Sequence, residues 1–113
     1  MTQLQMSYTS DVARRLERLA EYYEQGPASE LMSRTLDKLL TLEANACQEQ
    51  LRQLQTDLVG FEQQYGLPSA EFYLQFQSGQ TDDRMDYVEW ASLYQMKQDL
   101  EKRLFLLTGR EDQ

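Results

Sequence analysis

Histidine is absent from this 113-residue chain, and cysteine occurs only once, as Cys47. Without histidine the chain lacks the commonest metal ligand and general base of proteins. A single cysteine can form neither an internal disulfide nor a cysteine cluster around a metal ion. The chain also has no glycine-rich phosphate loop and no nucleophile elbow. We therefore predict a protein that is not an enzyme, with no cofactor and no metal.

Long apolar runs are missing as well, and no segment reads as a secretory signal, so the sequence predicts a cytoplasmic protein with no membrane partner. Basic residues are few: 11 Lys and Arg stand against 19 Asp and Glu, a net charge of -8. Affinity for nucleic acid depends largely on neutralising phosphates, so an acidic chain is not by itself a nucleic-acid binder. The C-terminal part is the more acidic one. This charge is typical of a chain with a basic protein partner, and equally of an ordinary soluble surface.

Apolar or small residues recur every three or four positions after the Gly26-Pro27 turn, and no helix breaker follows before Gly60. The later spacings alternate four and three, which is a heptad seam and predicts one long helix to about Tyr65. The seam consists of Leu36, Leu40, Ala44, Cys47, Leu51, Leu54, Leu58, Phe61 and Tyr65.

Gly66 is placed to end this long helix, and Ser69 to cap a short helix around residues 71–76. A last helix is predicted from about Arg84 to Leu107, capped by Thr81 or Asp82 and ended by Gly109. Its apolar stripe matches the seam of the long helix, so we expect the two to fold back as an antiparallel hairpin. The stripe consists of Trp90, Leu93, Leu100, Leu104 and Leu107.

The first residues alternate in polarity. Leu4, Met6 and Tyr8 would lie on one face of a strand, and Gln3, Gln5 and Ser7 on the other. A lone strand has to pair with the same strand of a second chain, so residues 2–9 predict a two-stranded ribbon across a homodimer. Thr9 or Ser10 would then cap the first helix, which Gly26 would close in a left-handed conformation.

The order of strand, helix, turn and helix resembles the ribbon-helix-helix family of DNA-binding proteins, which includes the antitoxins of type II toxin–antitoxin systems. The resemblance covers about the first third of the chain. It is carried by the alternating strand, by the first-helix stripe Val12, Leu16, Leu19, Ala20 and Tyr23, and by the turn at residues 26–31 that leads to Arg34-Thr35-Leu36.

The resemblance implies that a short N-terminal strand forms an intermolecular two-stranded ribbon. Together with the long helix and the C-terminal helical hairpin predicted from the apolar spacing, the expected fold is mainly α, a ribbon-helix-helix module followed by a helical extension. Residues 1–44 would dimerise and bind operator DNA, and residues 45–113 would bind and mask a toxin. The function is then that of an antitoxin-like transcriptional repressor. No Lys or Arg precedes Arg14 on the strand, which favours the alternative of a dimeric helical adaptor that does not bind DNA.

Candidate DNA contacts are Gln3, Gln5 and Ser7 on the ribbon, Arg14 in a basic cluster, and Ser29 at a helix N-terminus, where backbone N–H groups can hold a phosphate. The alternatives are a disordered tail for the first three, a solvated helix face for Arg14 and simple capping for Ser29.

Aromatic residues are concentrated in the C-terminal part, and Tyr and Trp are frequent anchors of protein interfaces. They are therefore our candidate partner-binding surface, with an aromatic core as the alternative: Phe72, Tyr73, Phe76, Tyr87, Trp90 and Tyr94. A nearby acidic group lacks the spacing of a calcium loop and is assigned no metal: Asp82, Asp83, Asp86 and Glu89.

Overall fold

The computed structural model describes residues 3–110, with side chains from Tyr8 onward. These residues form four helices and no strand: α1 (Gln3–Gln25), α2 (Glu30–Tyr65), α3 (Ser69–Gln77) and α4 (Met85–Thr108). The helices α2 and α4 are the long helices that the apolar periodicity predicts, and α3 is the short helix predicted between them.

The predicted N-terminal strand is wrong, because residues 3–9 belong to α1. Apolar residues that alternate every second position also include pairs four residues apart, which is the spacing of one helix face. Leu4 and Tyr8 are four residues apart and continue the spacing of Val12 and Leu16. No Gly or Pro occurs between residue 2 and Gly26, so nothing in the sequence interrupts a helix there. The intrinsic helix propensity of these residues therefore favours one continuous helix. The intermolecular ribbon, and with it the ribbon-helix-helix order, is therefore not formed by the described residues.

Because α1 begins earlier than predicted, both predicted caps of α1 are also wrong. Thr9 and Ser10 lie within the helix rather than at its N-cap. Gly26 follows the last helical residue, but its φ is not positive, so it does not close the helix in the left-handed conformation. Pro27 accompanies it in the turn, and proline fixes an extended backbone in the residue before it.

The chain divides into two units, residues 1–37 and residues 38–113, with the boundary inside α2. The N-terminal unit contains α1 and the first turns of α2. Ser29 caps α2 there, since its Oγ accepts the Met32 backbone N–H at 3.1 Å. Near the turn, the hydroxyls of Tyr23 and Ser33 lie 2.9 Å apart. Among residues 8–37 no side chain is buried.

The C-terminal unit is held by an antiparallel pairing of α2 and α4, as the sequence predicted. At one end, one cluster of buried side chains combines Ala44, Cys47, Leu51 and Leu54 of α2 with Leu100 and Leu104 of α4. Toward the other end, Leu58 packs with Trp90 and Ala91 of α4 and with Phe72 of α3. Residue numbers rise along α2 while those of their partners on α4 fall, which confirms the hairpin.

Glycines end two of these helices. Gly66, with φ of 65°, follows α2, and its N–H donates to the Glu62 carbonyl at 2.8 Å. Gly109, with φ of 71°, follows α4 and donates to the Phe105 carbonyl at 2.7 Å. Both positions need the left-handed conformation that glycine adopts without strain, so both predicted C-caps are confirmed.

The predicted N-caps of α3 and α4 are wrong. Pro68 precedes α3 and Arg84 precedes α4, and neither helix has a side-chain cap. Asp82 instead accepts the backbone N–H and the guanidinium of Arg84 ahead of the helix. No helix within residues 3–110 is long and apolar enough to cross a membrane.

Candidate protein-binding surface

The C-terminal aromatics form a stacked core. The Trp90 and Phe72 side chains are 0% and 1% exposed. Their rings are parallel within 3°, with centroids 3.8 Å apart, and Phe61 stacks on Trp90 with a centroid distance of 5.5 Å. Trp90 is thus enclosed by aromatic rings from α2 and α3. Burial assigns Phe72 and Trp90 to the core, and neither has free surface to offer a partner.

The other four candidate aromatics, Tyr73, Phe76, Tyr87 and Tyr94, are half-buried around this core. The Tyr73 hydroxyl donates to the Gln95 side chain and accepts the Gln77 amide. Because its polar end already has partners within the unit, Tyr73 packs as part of the fold. Only the outer edges of these rings could contact another molecule.

Buried polar groups of this unit are bonded to one another. The Trp90 indole Nε1 donates to Ser69 Oγ at 2.9 Å, and the Ser69 backbone N–H donates to the Glu62 carboxylate at 2.9 Å. The Tyr65 hydroxyl donates to Asp86 Oδ2 at 2.6 Å. Within residues 8–110 no buried side-chain nitrogen or oxygen lacks a partner. No unpaired group therefore marks a ligand site in this core.

Two of the four nearby acidic residues, Asp82 and Asp86, have structural partners. Asp82 forms an ion pair with Arg84 at 2.9 Å, which lowers the pKa of the Asp82 carboxyl. Asp86 accepts the Tyr65 hydroxyl, and this bond to the carboxylate raises the pKa of Tyr65. No group of three or more His, Cys, Asp or Glu side chains able to hold a metal occurs among the described residues.

The residues predicted to contact DNA do not come together on a ribbon. Gln3, Gln5 and Ser7 lie in the first two turns of α1, and their side chains lie outside the described part of the chain. Arg14 forms an ion pair with Asp11 on the same helix. Ser29 caps α2. The capping interpretation of Ser29 accounts for its hydroxyl, and no phosphate site is needed to explain it.

Helix α1 carries the clearest exposed apolar face of the N-terminal unit. Tyr8, Val12 and Leu16 are 71%, 38% and 54% exposed, while Leu19 and Tyr23, nearer the turn, are half-buried. From Tyr8 onward these residues follow one another at spacings of four, four, three and four, so they share one side of the helix. The structure thus leaves the first part of an amphipathic helix uncovered.

The two sides of this apolar face differ in size and polarity. Along one side lie Asp11, Arg15, Arg18 and Tyr22, and along the other lie Thr9, Ala13 and Ala20. A groove of about 610 Å³ lies on the arginine side, lined by Tyr8, Asp11, Val12, Arg14, Arg15 and Arg18. Among the described α1 side chains only Arg14 and Asp11 form an ion pair.

Sequence reasoning missed the role of Ser69. A serine after proline is typical of a helix start, so its hydroxyl was assigned to capping. No local signal could show that the indole of Trp90, 21 residues later, takes that hydroxyl as its acceptor. Sequence reasoning also placed the binding surface on the C-terminal aromatics and did not consider the exposed apolar face of α1, which is readable from the helical spacing once residues 3–25 are taken as one helix.

No protein-family model matches this chain, and neither the curated proteins nor the solved structures contain a significant match to it.

Proposed function

We propose that this chain is a non-enzymatic helical adaptor that binds another protein chain through the apolar face of α1, while its C-terminal unit is a prefolded body. The observation that carries the proposal is the exposure of Val12 and Leu16 on a helix with a regular apolar stripe. A helix that buries nothing is marginal in water, because most helical stability in proteins comes from packing an apolar face. A partner chain on this face would supply that packing.

The C-terminal unit supports the same function in a different way. It has its own core, from Ala44 to Leu104, and its buried polar groups are paired. It therefore has no need of a partner to fold. A chain with one self-sufficient unit and one unit without a core is suited to joining a stable body to a binding helix that orders on association.

A matched pair of variants tests this function. Leu16→Glu places a charge in the centre of the α1 face, and Leu74→Glu places the same charge at an exposed leucine of α3; the two leucines are 54% and 70% exposed. The tagged full-length chain is incubated with extract of its own source cells and with untagged chain. We expect the Leu74→Glu variant to retain every bound chain that the wild type retains, and Leu16→Glu to lose it. Equal binding by both variants would overturn the proposal.

A second candidate is an antitoxin-like function, in which the chain masks a toxin without using a ribbon. The observation that favours it is the net charge of -8, which complements a basic partner. Its experiment is co-expression with the product of the adjacent gene. Rescue of growth by the full-length chain, with loss of the complex as salt is raised from 50 to 500 mM (roughly a threefold shorter Debye length), supports it. Growth arrest that the chain does not relieve rejects it.

A further inference from the structure

We propose that the outer side of α4 binds a basic amphipathic helix of a different protein. This surface consists of Met85, Val88, Ser92 and Met96, and we refer to it as the methionine face. The inference goes beyond the proposed function, because the methionine face belongs to the C-terminal unit and does not involve α1.

Helix α4 has apolar residues on two of its sides. One side, which includes Trp90 and Leu100, is buried in the C-terminal unit. The residues of the methionine face follow one another at spacings of three, four and four, so they share one side of the helix. Its three apolar members are exposed, by 80% at Met85, 40% at Val88 and 51% at Met96. The structure thus leaves a second apolar row on α4 uncovered, about 16 Å long at 1.5 Å per residue.

A helix is the partner that fits a surface of this shape. Two helices pack by placing such rows of side chains into each other's grooves. Met85 and Met96, at the two ends of the row, have unbranched, flexible side chains that adapt to the side chains of an incoming helix. A partner helix with apolar residues every three or four positions would therefore cover the row.

The part of the chain from which the methionine face begins is strongly acidic. Residues 57–90 contain seven Asp and Glu against one Arg, which is a net charge of -6, compared with -8 for the whole chain. That arginine, Arg84, already forms an ion pair with Asp82. Asp83 and Glu89 are exposed, and the structure gives them no cationic partner within residues 8–110. Their charge is available to a partner.

These free carboxylates lie beside the methionine face. Glu89 is one helical turn after Met85 on the same side of α4, and Asp83 is two residues before Met85. At the other end of the row, Asp99 is followed one turn later by Arg103, so the row is more acidic at its Met85 end. Lysine or arginine residues that flank the apolar residues of a partner helix would meet these carboxylates, and such complementarity favours encounter and fixes register.

The distribution of charge also decides between possible occupants. A second copy of the chain offers no basic segment of matching strength, because residues 1–56 contain six Lys and Arg against eight Asp and Glu, and residues 91–113 contain four of each. Nucleic acid needs its phosphates neutralised, which an acidic surface does not do. A basic helix of a different protein therefore suits both the apolar row and its charge.

A defined peptide tests the surface. The probe is a fluorescein-labelled peptide of about 18 residues, made of Leu and Lys, with the leucines on one face of a helix. One control peptide has Glu in place of every Lys, and the other has Ser in place of every Leu. In fluorescence anisotropy at low salt, the full-length chain should bind the Leu–Lys peptide at least about tenfold more tightly than either control. Equally tight binding of the Ser–Lys peptide would show that the apolar row is not used and would overturn the proposal.

A matched pair of variants tests the apolar row. Met85 and Leu106 are both 80% exposed on α4, and Leu106 lies beyond the end of the methionine face. Met85→Gln should weaken binding of the Leu–Lys peptide by at least about fivefold, whereas Leu106→Gln should change it by less than about twofold. Neither substitution removes a buried side chain, so both variants should keep the unfolding transition that Trp90 fluorescence reports. Equal affinities of the two variants would reject the methionine face.

A second pair tests the charges. Glu89→Lys and Glu43→Lys change the net charge by the same amount, and Glu43 is an exposed residue of α2 outside residues 57–90. Glu89→Lys should weaken binding of the Leu–Lys peptide by about fivefold, and Glu43→Lys by less than about twofold. Equal losses would show that the peptide responds only to the total charge of the protein, which contradicts a specific surface on α4.

The outcome is separable from that of the proposed function, because the probe is a pure peptide. Leu16→Glu alters the α1 face and should bind the Leu–Lys peptide as the wild type does. In NMR spectra of the complex, the largest amide shifts should fall within residues 85–96. Shifts confined to α1, or self-association of the chain that excludes the peptide from residues 85–96, would assign the contact to another surface or occupant and overturn the proposal.

Discussion

The indole Nε1 of Trp90 donates a hydrogen bond of 2.9 Å to Ser69 Oγ and so ties the second turn of α4 to the first residue of α3. Both side chains are buried. Ser69 is in turn held by its backbone N–H, which donates to the carboxylate of Glu62 on α2. One serine therefore connects all three helices of the C-terminal unit.

Ser69→Ala should destabilise the protein by about 1–3 kcal/mol, because it leaves a buried indole N–H without an acceptor. Denaturant unfolding followed by the emission of Trp90, the one tryptophan of the chain, measures the loss. The control is Ser78→Ala, since Ser78 is exposed and its hydroxyl bonds only to the carbonyl of Gln75. Equal midpoints for the two variants would show that the bond to Trp90 contributes nothing.

Phe72→Ala should cost roughly 3–5 kcal/mol of folding free energy, as expected for a large side chain removed from a packed core. Phe72 is 1% exposed and stacks on Trp90. Leu74→Ala, two residues away on the outer side of α3, should change the free energy of unfolding by less than about 0.5 kcal/mol. Thermal melts of the two variants decide the matter. A Phe72→Ala variant that melts at the same temperature as the wild type would show that Phe72 does not contribute to the core.

The part of the α2 seam from Ala44 onward and the stripe of α4 could be predicted because they repeat over many turns and match each other. The first predicted seam positions were wrong, since Leu36 is only half-buried and Leu40 is 47% exposed. The strand at residues 2–9 could not be separated from a helix in the same way. Over so few residues a two-residue alternation and a four-residue spacing select overlapping apolar positions, such as Leu4 and Tyr8. The helix is distinguished from the strand only by the continuation of the four-residue spacing to Val12 and Leu16. That continuation is visible only when a longer stretch of sequence than residues 2–9 is considered.

Binding candidates were harder still to predict. The same aromatic composition fits an interface and a core, and the difference lies in which helices enclose Trp90. That depends on α3 packing against α2 and α4, a long-range arrangement with no local signal. Ser69 shows the same limit, because its partner is fixed by the fold rather than by its neighbours in sequence.

Tyr65 should ionise at higher pH than an ordinary tyrosine. Its hydroxyl donates to Asp86, and this bond to a negative group raises the pKa of Tyr65 above its ordinary value. Since the folded-state pKa is the higher one, this contribution to stability is fully present below about pH 10 and is lost as the pH rises through the folded-state pKa.

Absorbance titration of tyrosinate checks this shift. Asp86→Asn removes the carboxylate charge and should move one tyrosine of the folded protein to lower pH. Asp83→Asn is the control, as the structure gives Asp83 no bond to a tyrosine hydroxyl among the described residues. Superimposable curves for wild type and Asp86→Asn would mean that Asp86 does not influence Tyr65.

The rate of amide hydrogen exchange should differ between α1, which has no buried side chain, and the buried part of α2. In dilute protein, amides of residues 9–20 in α1 should exchange at least about a hundredfold faster than those of residues 47–58 in α2. A helix without buried side chains opens at almost no cost, whereas the core opens only with most of the global free energy. If α1 is as protected as the core in the dilute protein, its exposed face is stable without a partner, and the reason for proposing one is lost.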